Sequence, residues 1–196
     1  MLVRHGPRAR EAESLSDQSL SEQLRRAIRR IPDFPKKGIV FRDITTLWKD
    51  QSLLRMTVDA MYEHYKDRKV DKVLGVEARG FVFGALLAER FNVGFIPARK
   101  LGRLPYDKIR EEYQLEYRTD GLEMHRDSVD PGDSVLIVDD LMATAGTALA
   151  VSRMVEALGG RVVGLAFVVE LSFLGGREKL SKYDIFSIVK YASEEE

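Results

Sequence analysis

The segment that most constrains this chain is VLIVDDLMATAGT, Val135 to Thr147. Four apolar residues run directly into two adjacent carboxylates. A loop of small and hydroxyl residues follows, and then the helical pattern TALAVSRMVEALGG, which Gly159 and Gly160 bring to a stop. An apolar run of this kind reads as a strand buried on both faces. In open α/β sheets ligands bind beyond the carboxyl ends of the strands, where Asp139 and Asp140 would stand. Two neighbouring carboxylates can accept hydrogen bonds from two neighbouring hydroxyls, as on a ribose. They repel one another unless a ligand or cation lies close. The small residues Ala143, Ala145 and Gly146 let backbone N–H groups approach an anion. Thr144 and Thr147 add hydroxyl donors, and the helix N-terminus favours negative charge. Diol binding and phosphate binding thus fall side by side, as a ribose 5-phosphate requires. An isolated Asp-Asp can equally end a strand and cap a helix. The ordered run of strand, diacid, small-residue loop and helix is the informative signal.

The rest of the chain repeats the theme of strand followed by helix. KVLGVE, VGFIPARK, RVVGLAFVVEL and DIFSIVKY read as further strands. ARGFVFGALLAERF reads as a turn and helix, and Ser52 to about Tyr65 as another helix. The expected fold is α/β, a central parallel sheet flanked by helices. Near the N-terminus, SDQSLSEQLRRAIRRI places Leu20, Leu24, Ala27, Ile28 and Ile31 on one helical face, with Ser16 or Ser19 as its cap. Pro32 and Pro35 then forbid helix, so DFPKKGIVFRDITTLWKD is expected to be extended and rich in turns. One long interruption, LGRLPYDKIREEYQLEYRTDGLEMHRDSVDPGD, alternates in its middle, with Tyr113, Leu115 and Tyr117 on one side. That period suits a half-exposed antiparallel ribbon able to act as a lid. Residues 1–15 read as a poorly ordered extension and 16–196 as a single domain, with a hood mainly over 32–46 and a flap over about 101–119.

Composition narrows the function classes. Basic and acidic residues balance at 31 each, so a polyanion such as nucleic acid is not the expected partner. There is no cysteine, which excludes disulfides, thiolate metal sites and cysteine nucleophiles and fits a cytoplasmic protein. No apolar run reaches the roughly 18 residues of a membrane span, and the charged N-terminus does not read as a secretory signal.

VLIVDDLMATAGT resembles the 5-phosphoribosyl 1-pyrophosphate (PRPP) motif of the type I phosphoribosyltransferases. FPKKGIVFRDIT, Phe34 to Thr45, resembles the N-terminal signature of the adenine-specific branch of that family. GVEARGFVFG, Gly75 to Gly84, resembles its pyrophosphate loop, and RKLGRLP, YQLEY, DPGDSVLIVDD and VELSFLGGREKL match the pattern in order. The resemblance spans about Ile31 to Tyr191.

It implies transfer of a 5-phosphoribosyl group from PRPP to adenine, giving AMP and pyrophosphate, in purine salvage. It implies that Mg²⁺ arrives with PRPP, bound mainly through substrate oxygens and water rather than by a dedicated protein cage. The implied ribose and phosphate site is Asp139, Asp140, Ala143, Thr144, Ala145, Gly146 and Thr147. The implied pyrophosphate site is Glu77, Ala78, Arg79, Arg99, Lys100 and Arg103, with Arg79 as its clamp. Family members often carry a cis bond where Glu77 meets Ala78. Leu101 stands where the family often has another basic residue, a charge that Arg103 would supply. Glu116 on the flap is implied in proton traffic at the purine, and Tyr117 in closing the site. Adenine would meet the backbone of Val40 and Arg42 and the apolar surfaces of Phe41 and Leu171. A 6-oxo purine would set an acceptor against an acceptor there.

One position departs from the family's A-T-G-G-T pattern: Ala145 stands where glycine is usual. If the backbone there needs positive φ, the methyl group is a handicap; if φ is negative, it is nearly silent. The expectation is a tolerated change. Two other functions fit the superfamily motif, namely transfer to a 6-oxo purine and a non-catalytic PRPP-sensing regulator. GIVFRDIT argues against the first. The short stretch before Pro32 is too small for the DNA-binding module that the second needs. A homodimer is expected from the family.

Overall fold

The computed structural model describes residues 20–115 and 118–196. The chain falls into two compact units. One ends at Thr57 and takes in Glu195; the other runs from Val58 to Glu194 with Glu196.

In the first unit, residues 20–27 form α1, with Leu20, Leu24 and Ile28 buried as the helical spacing requires. The expected helix is shorter at its C-terminal end than the apolar pattern suggested. Arg29–Pro32 is strand β1, paired antiparallel with β2 (Val40–Asp43), so Ile31 lies opposite Phe41 instead of on the helix face. Pro32 disfavours helix at the residue before it, and strand pairing claims the segment. The short helix α2 (Thr45–Trp48) follows. Asp43 holds its start, accepting from the Thr45 amide at 3.0 Å and from the Thr45 hydroxyl at 2.6 Å. Helix α3 (Gln51–Tyr65) continues into the second unit.

The second unit is built on a seven-stranded sheet. Its strands are β3 (Lys72–Val76), β4 (Gly94–Lys100), β5 (Lys108–Leu115), β6 (Arg118–His125), β7 (Ser134–Met142), β8 (Arg161–Leu171) and β9 (Ile185–Tyr191). The spatial order is β5-β6-β4-β3-β7-β8-β9. The five strands from β4 to β9 are mutually parallel, as the alternating pattern predicts. The hairpin β5–β6 extends the sheet antiparallel at the β4 edge. Its strands begin and end later in the chain than the expected flap. Val135 to Val138 and Leu165 to Val169 are almost fully buried. Val151, Met154 and Val155 of α5 (Gly146–Ala157) pack into the same core. Each such side chain withdraws apolar surface worth roughly 1.5–3 kcal/mol.

The order of connections fixes where a ligand can sit. From β3 the chain passes through α4 (Gly80–Phe91) to β4 on one side. From β7 it passes through α5 to β8 on the other side. The two crossovers diverge between β3 and β7, which opens a crevice at their carboxyl ends. A last short helix, α6 (Gly176–Lys179), which the sequence pattern did not reveal, lies between β8 and β9.

Candidate active site in the crevice between strands β3 and β7

Strand β7 pairs with β3 only as far as Val138, yet it continues beside β8 to Met142. Asp139 and Asp140 therefore do not stand at the strand's end, where they were expected. They lie where it loses its neighbour on one side only. A cavity of about 280 Å³ opens there, lined by Glu77, Ala78, Arg79, Lys100, Asp139, Asp140 and the whole run Ala143 to Thr147. Eleven residues expected to form the ribose, phosphate and pyrophosphate subsites thus meet in one place.

The diacid is electrostatically loaded. Burial pushes the Asp139 carboxyl well above its ordinary range, and the neighbouring Asp140 charge pushes it further. Burial also raises Asp140, opposed by the Arg79 guanidinium, whose Nε lies 3.0 Å from Asp140 Oδ2. Asp139 Oδ1 accepts from the Asp140 amide at 2.8 Å. Arg79 thus stands against the diacid rather than away from it. Gly80 makes that possible. A Cβ there would sit 2.8 Å from the Val138 carbonyl oxygen and 2.9 Å from Asp139 Oδ1, so only glycine lets α4 start flush against β7.

The loop after β7 presents backbone donors. Ala145 adopts φ 69° and ψ 3°, and no side chain caps α5. The first N–H groups of a helix lack partners within it, so this terminus is suited to an anion. The left-handed φ is the case in which the alanine methyl is a handicap. Lys179 donates to the Thr144 carbonyl oxygen at 3.2 Å and braces the loop from α6.

The Glu77–Ala78 peptide is cis, as in the resembled loop. The Glu77 carboxylate accepts from Arg99 Nε at 3.3 Å, from Arg99 Nη2 at 3.2 Å and from the Lys100 amide at 2.8 Å. These bonds, with Arg99 first among them, hold the Glu77 carboxyl below its ordinary range. Arg99 also donates to the Arg103 carbonyl oxygen at 3.1 Å. Arg99 and Arg103 are therefore joined to each other and to Glu77, outside the set of side chains that line the cavity. Glu116 and Tyr117 lie outside the described residues.

Of the residues expected against the base, Val40, Phe41 and Arg42 lie on β2 of the first unit. Arg42 is buried, and the Phe41 ring meets Phe34 edge-on at 5.2 Å. Leu171 ends β8 in the second unit. Val40 and Arg42 are two residues apart on one strand, so their backbone groups face the same edge of it.

Two cavity residues with polar side chains were missed from sequence, Tyr113 and Asp120, which face each other across the hairpin. Alternation put Tyr113 on one side of a ribbon, but no local pattern says which element that side meets.

A family model described as the phosphoribosyl transferase domain matches residues 47–194. The chain is 55% identical over 168 residues to adenine phosphoribosyltransferase of Solibacter usitatus, covering 86% of this chain and 97% of that one. It also resembles the crystal structure of adenine phosphoribosyltransferase from Thermoanaerobacter pseudethanolicus, with 50% identity and a TM-score of 0.84 over 87% of this chain and 99% of the other. The Saccharomyces cerevisiae enzyme, solved with an imino-altritol bisphosphate and adenine, gives 36% identity and a TM-score of 0.83 over 88% and 99% of the two chains.

Proposed function

The chain belongs to the adenine phosphoribosyltransferases of the type I phosphoribosyltransferase family, and from that membership we infer how its residues divide the reaction. It is a purine-salvage enzyme that transfers the 5-phosphoribosyl group of PRPP to adenine, giving AMP and pyrophosphate. One observation supports the division of labour above the others: the diacid, Arg79 and the uncapped start of α5 share a single cavity.

The 5′-phosphate sits on the loop Ala143 to Thr147, held by backbone N–H groups and the hydroxyls of Thr144 and Thr147. Asp139 and Asp140 accept hydrogen bonds from the ribose hydroxyls. As the bond to pyrophosphate breaks, negative charge grows on the leaving group while the anomeric carbon becomes cation-like. Arg79 and Lys100 supply positive charge to the first, and the diacid lies near the second. Arg99 and Arg103 add charge at the root of the hairpin. The Glu77 carboxylate keeps Arg99 aimed, while the backbone of Glu77 and Ala78 faces pyrophosphate. Glu116 handles the proton at the purine ring, and Tyr117 helps to close the site. The backbone of Val40 and Arg42 reads the amine and ring nitrogen of adenine, and Phe41 supplies apolar surface to the ring.

Magnesium carried by PRPP fits these residues. Two adjacent carboxyls whose proton affinity burial raises favour a nearby cation, and magnesium needs few protein ligands. When bound it neutralises pyrophosphate charge. A homodimer in the cytoplasm is the setting we infer; no described helix is long and apolar enough to cross a membrane.

The test is nucleotide formation from PRPP and Mg²⁺ with adenine, hypoxanthine, guanine and xanthine in parallel. Turnover of adenine alone is expected. Turnover of a 6-oxo purine would overturn the roles given to Val40 and Arg42.

A further inference from the structure

The hairpin sends one side chain to the phosphate loop. The Tyr113 hydroxyl lies 3.1 Å from Thr147 Oγ1, which donates to it. Its ring covers Gly146 so closely that a Cβ there would lie 3.1 Å from ring carbon Cδ2. The ring also packs against the apolar core beneath α5. Further along, Arg153 Nη1 of α5 donates to Glu111 Oε1 of β5 at 3.1 Å, so the same strand is tied to the same helix twice.

From this geometry we propose that Tyr113 belongs to the phosphate subsite. Its hydroxyl donates to the 5′-phosphate of PRPP or AMP, and phosphate occupancy thereby fixes the hairpin against α5. The proposal rests on the phosphoribosyl-transfer reading and adds a residue to it.

The chemistry follows from the two hydroxyls. Each can turn its proton towards the strongest acceptor within reach. In the ligand-free protein Thr147 uses the Tyr113 oxygen. A phosphate at the start of α5 is a stronger acceptor than a phenol. Both hydroxyls can then point their protons at it while their oxygens stay nearly where they are. The ring, packed against the core, gives Tyr113 limited freedom to lose on binding, so the bond costs little ordering. Glu116 and Tyr117 come next along the chain. Filling the phosphate subsite would therefore also steady the strand that leads to them.

The alternative is that Tyr113 is only a packing residue. Tyr113→Phe separates the two, because it keeps the ring and removes the hydroxyl. Calorimetry would compare AMP with adenosine, and steady-state kinetics would compare PRPP with adenine. In Tyr113→Phe the Kd for AMP and the KM for PRPP are expected to rise about tenfold, the loss of one hydrogen bond to a charged group. Adenosine affinity, adenine KM and Tm should stay within error of the unaltered protein. Thr147→Val in the same background should then cost less than it does alone, since the two hydroxyls share one anion. Unchanged AMP affinity in Tyr113→Phe would overturn the proposal while leaving the function intact. Equal losses for AMP and adenosine would do the same, because the hydroxyl would then be serving the fold. Failure of the unaltered protein to bind AMP or turn over adenine would overturn the functional reading itself, and the proposal with it.

Discussion

Ala145 concentrates the residue-scale question. A non-glycine residue at φ 69° carries a steric cost of roughly 1–2 kcal/mol, and this one sits in the loop assigned to the 5′-phosphate. The protein keeps the conformation because the flanking elements demand it: β7 ends at Met142 and α5 starts at Gly146. The strain belongs to the folded backbone whether or not phosphate is bound. Ala145→Gly should therefore raise stability by about 1 kcal/mol, or Tm by roughly 2–4 °C for a chain of this size. The KM for PRPP should change much less, by under about threefold. A thermal melt beside PRPP kinetics checks both. A large gain in PRPP affinity without a gain in Tm would show that the methyl obstructs the ligand.

At the scale of elements, the site depends on how closely α4 approaches β7. Helix α4 begins directly after Arg79, and Gly80 seats it against Val138 and Asp139. Gly80→Ala should push the helix start outward and separate Arg79 from Asp140. We expect at least a tenfold loss in kcat/KM and a destabilisation of about 1–3 kcal/mol, the usual cost of overpacking. Kinetics and denaturant unfolding on the same variant would check this; an unaffected kcat/KM would show that the approach of α4 is not needed. Not every element was legible from its sequence. The central strands and long helices were, because buried strands and amphipathic helices each carry their own period. Arg29–Pro32 was not. Its apolar spacing continued that of α1, and pairing with β2 overrode it. Helix α6 is one turn long, too short for periodicity to register.

For the whole molecule, the diacid makes stability depend on pH. The folded state raises the Asp139 carboxyl well above its ordinary range. Between the ordinary and the raised range the folded protein keeps a proton that the unfolded chain has released. Stability therefore falls as pH rises through that window. Asp139→Asn removes the charge at nearly constant shape. It should raise the Tm of the ligand-free protein at neutral pH and flatten its pH dependence, while weakening PRPP binding. Melting curves across pH, with and without PRPP, would show both effects. A variant less stable than the parent at neutral pH would mean that the ionised carboxylate supports the fold.

The sequence by itself determined the parallel α/β core and the succession of strand, diacid, phosphate loop and helix. These are properties of consecutive residues, so local period and chemistry reveal them. It also carried Arg79 and Gly80 into view as neighbours in the chain. Only the tertiary structure decided that Arg79 would rest on Asp140, that Glu77 would bind Arg99, and that Tyr113 would reach Thr147. Each of these contacts joins residues from different elements. They depend on which strands are neighbours in β5-β6-β4-β3-β7-β8-β9, and no local pattern encodes that order.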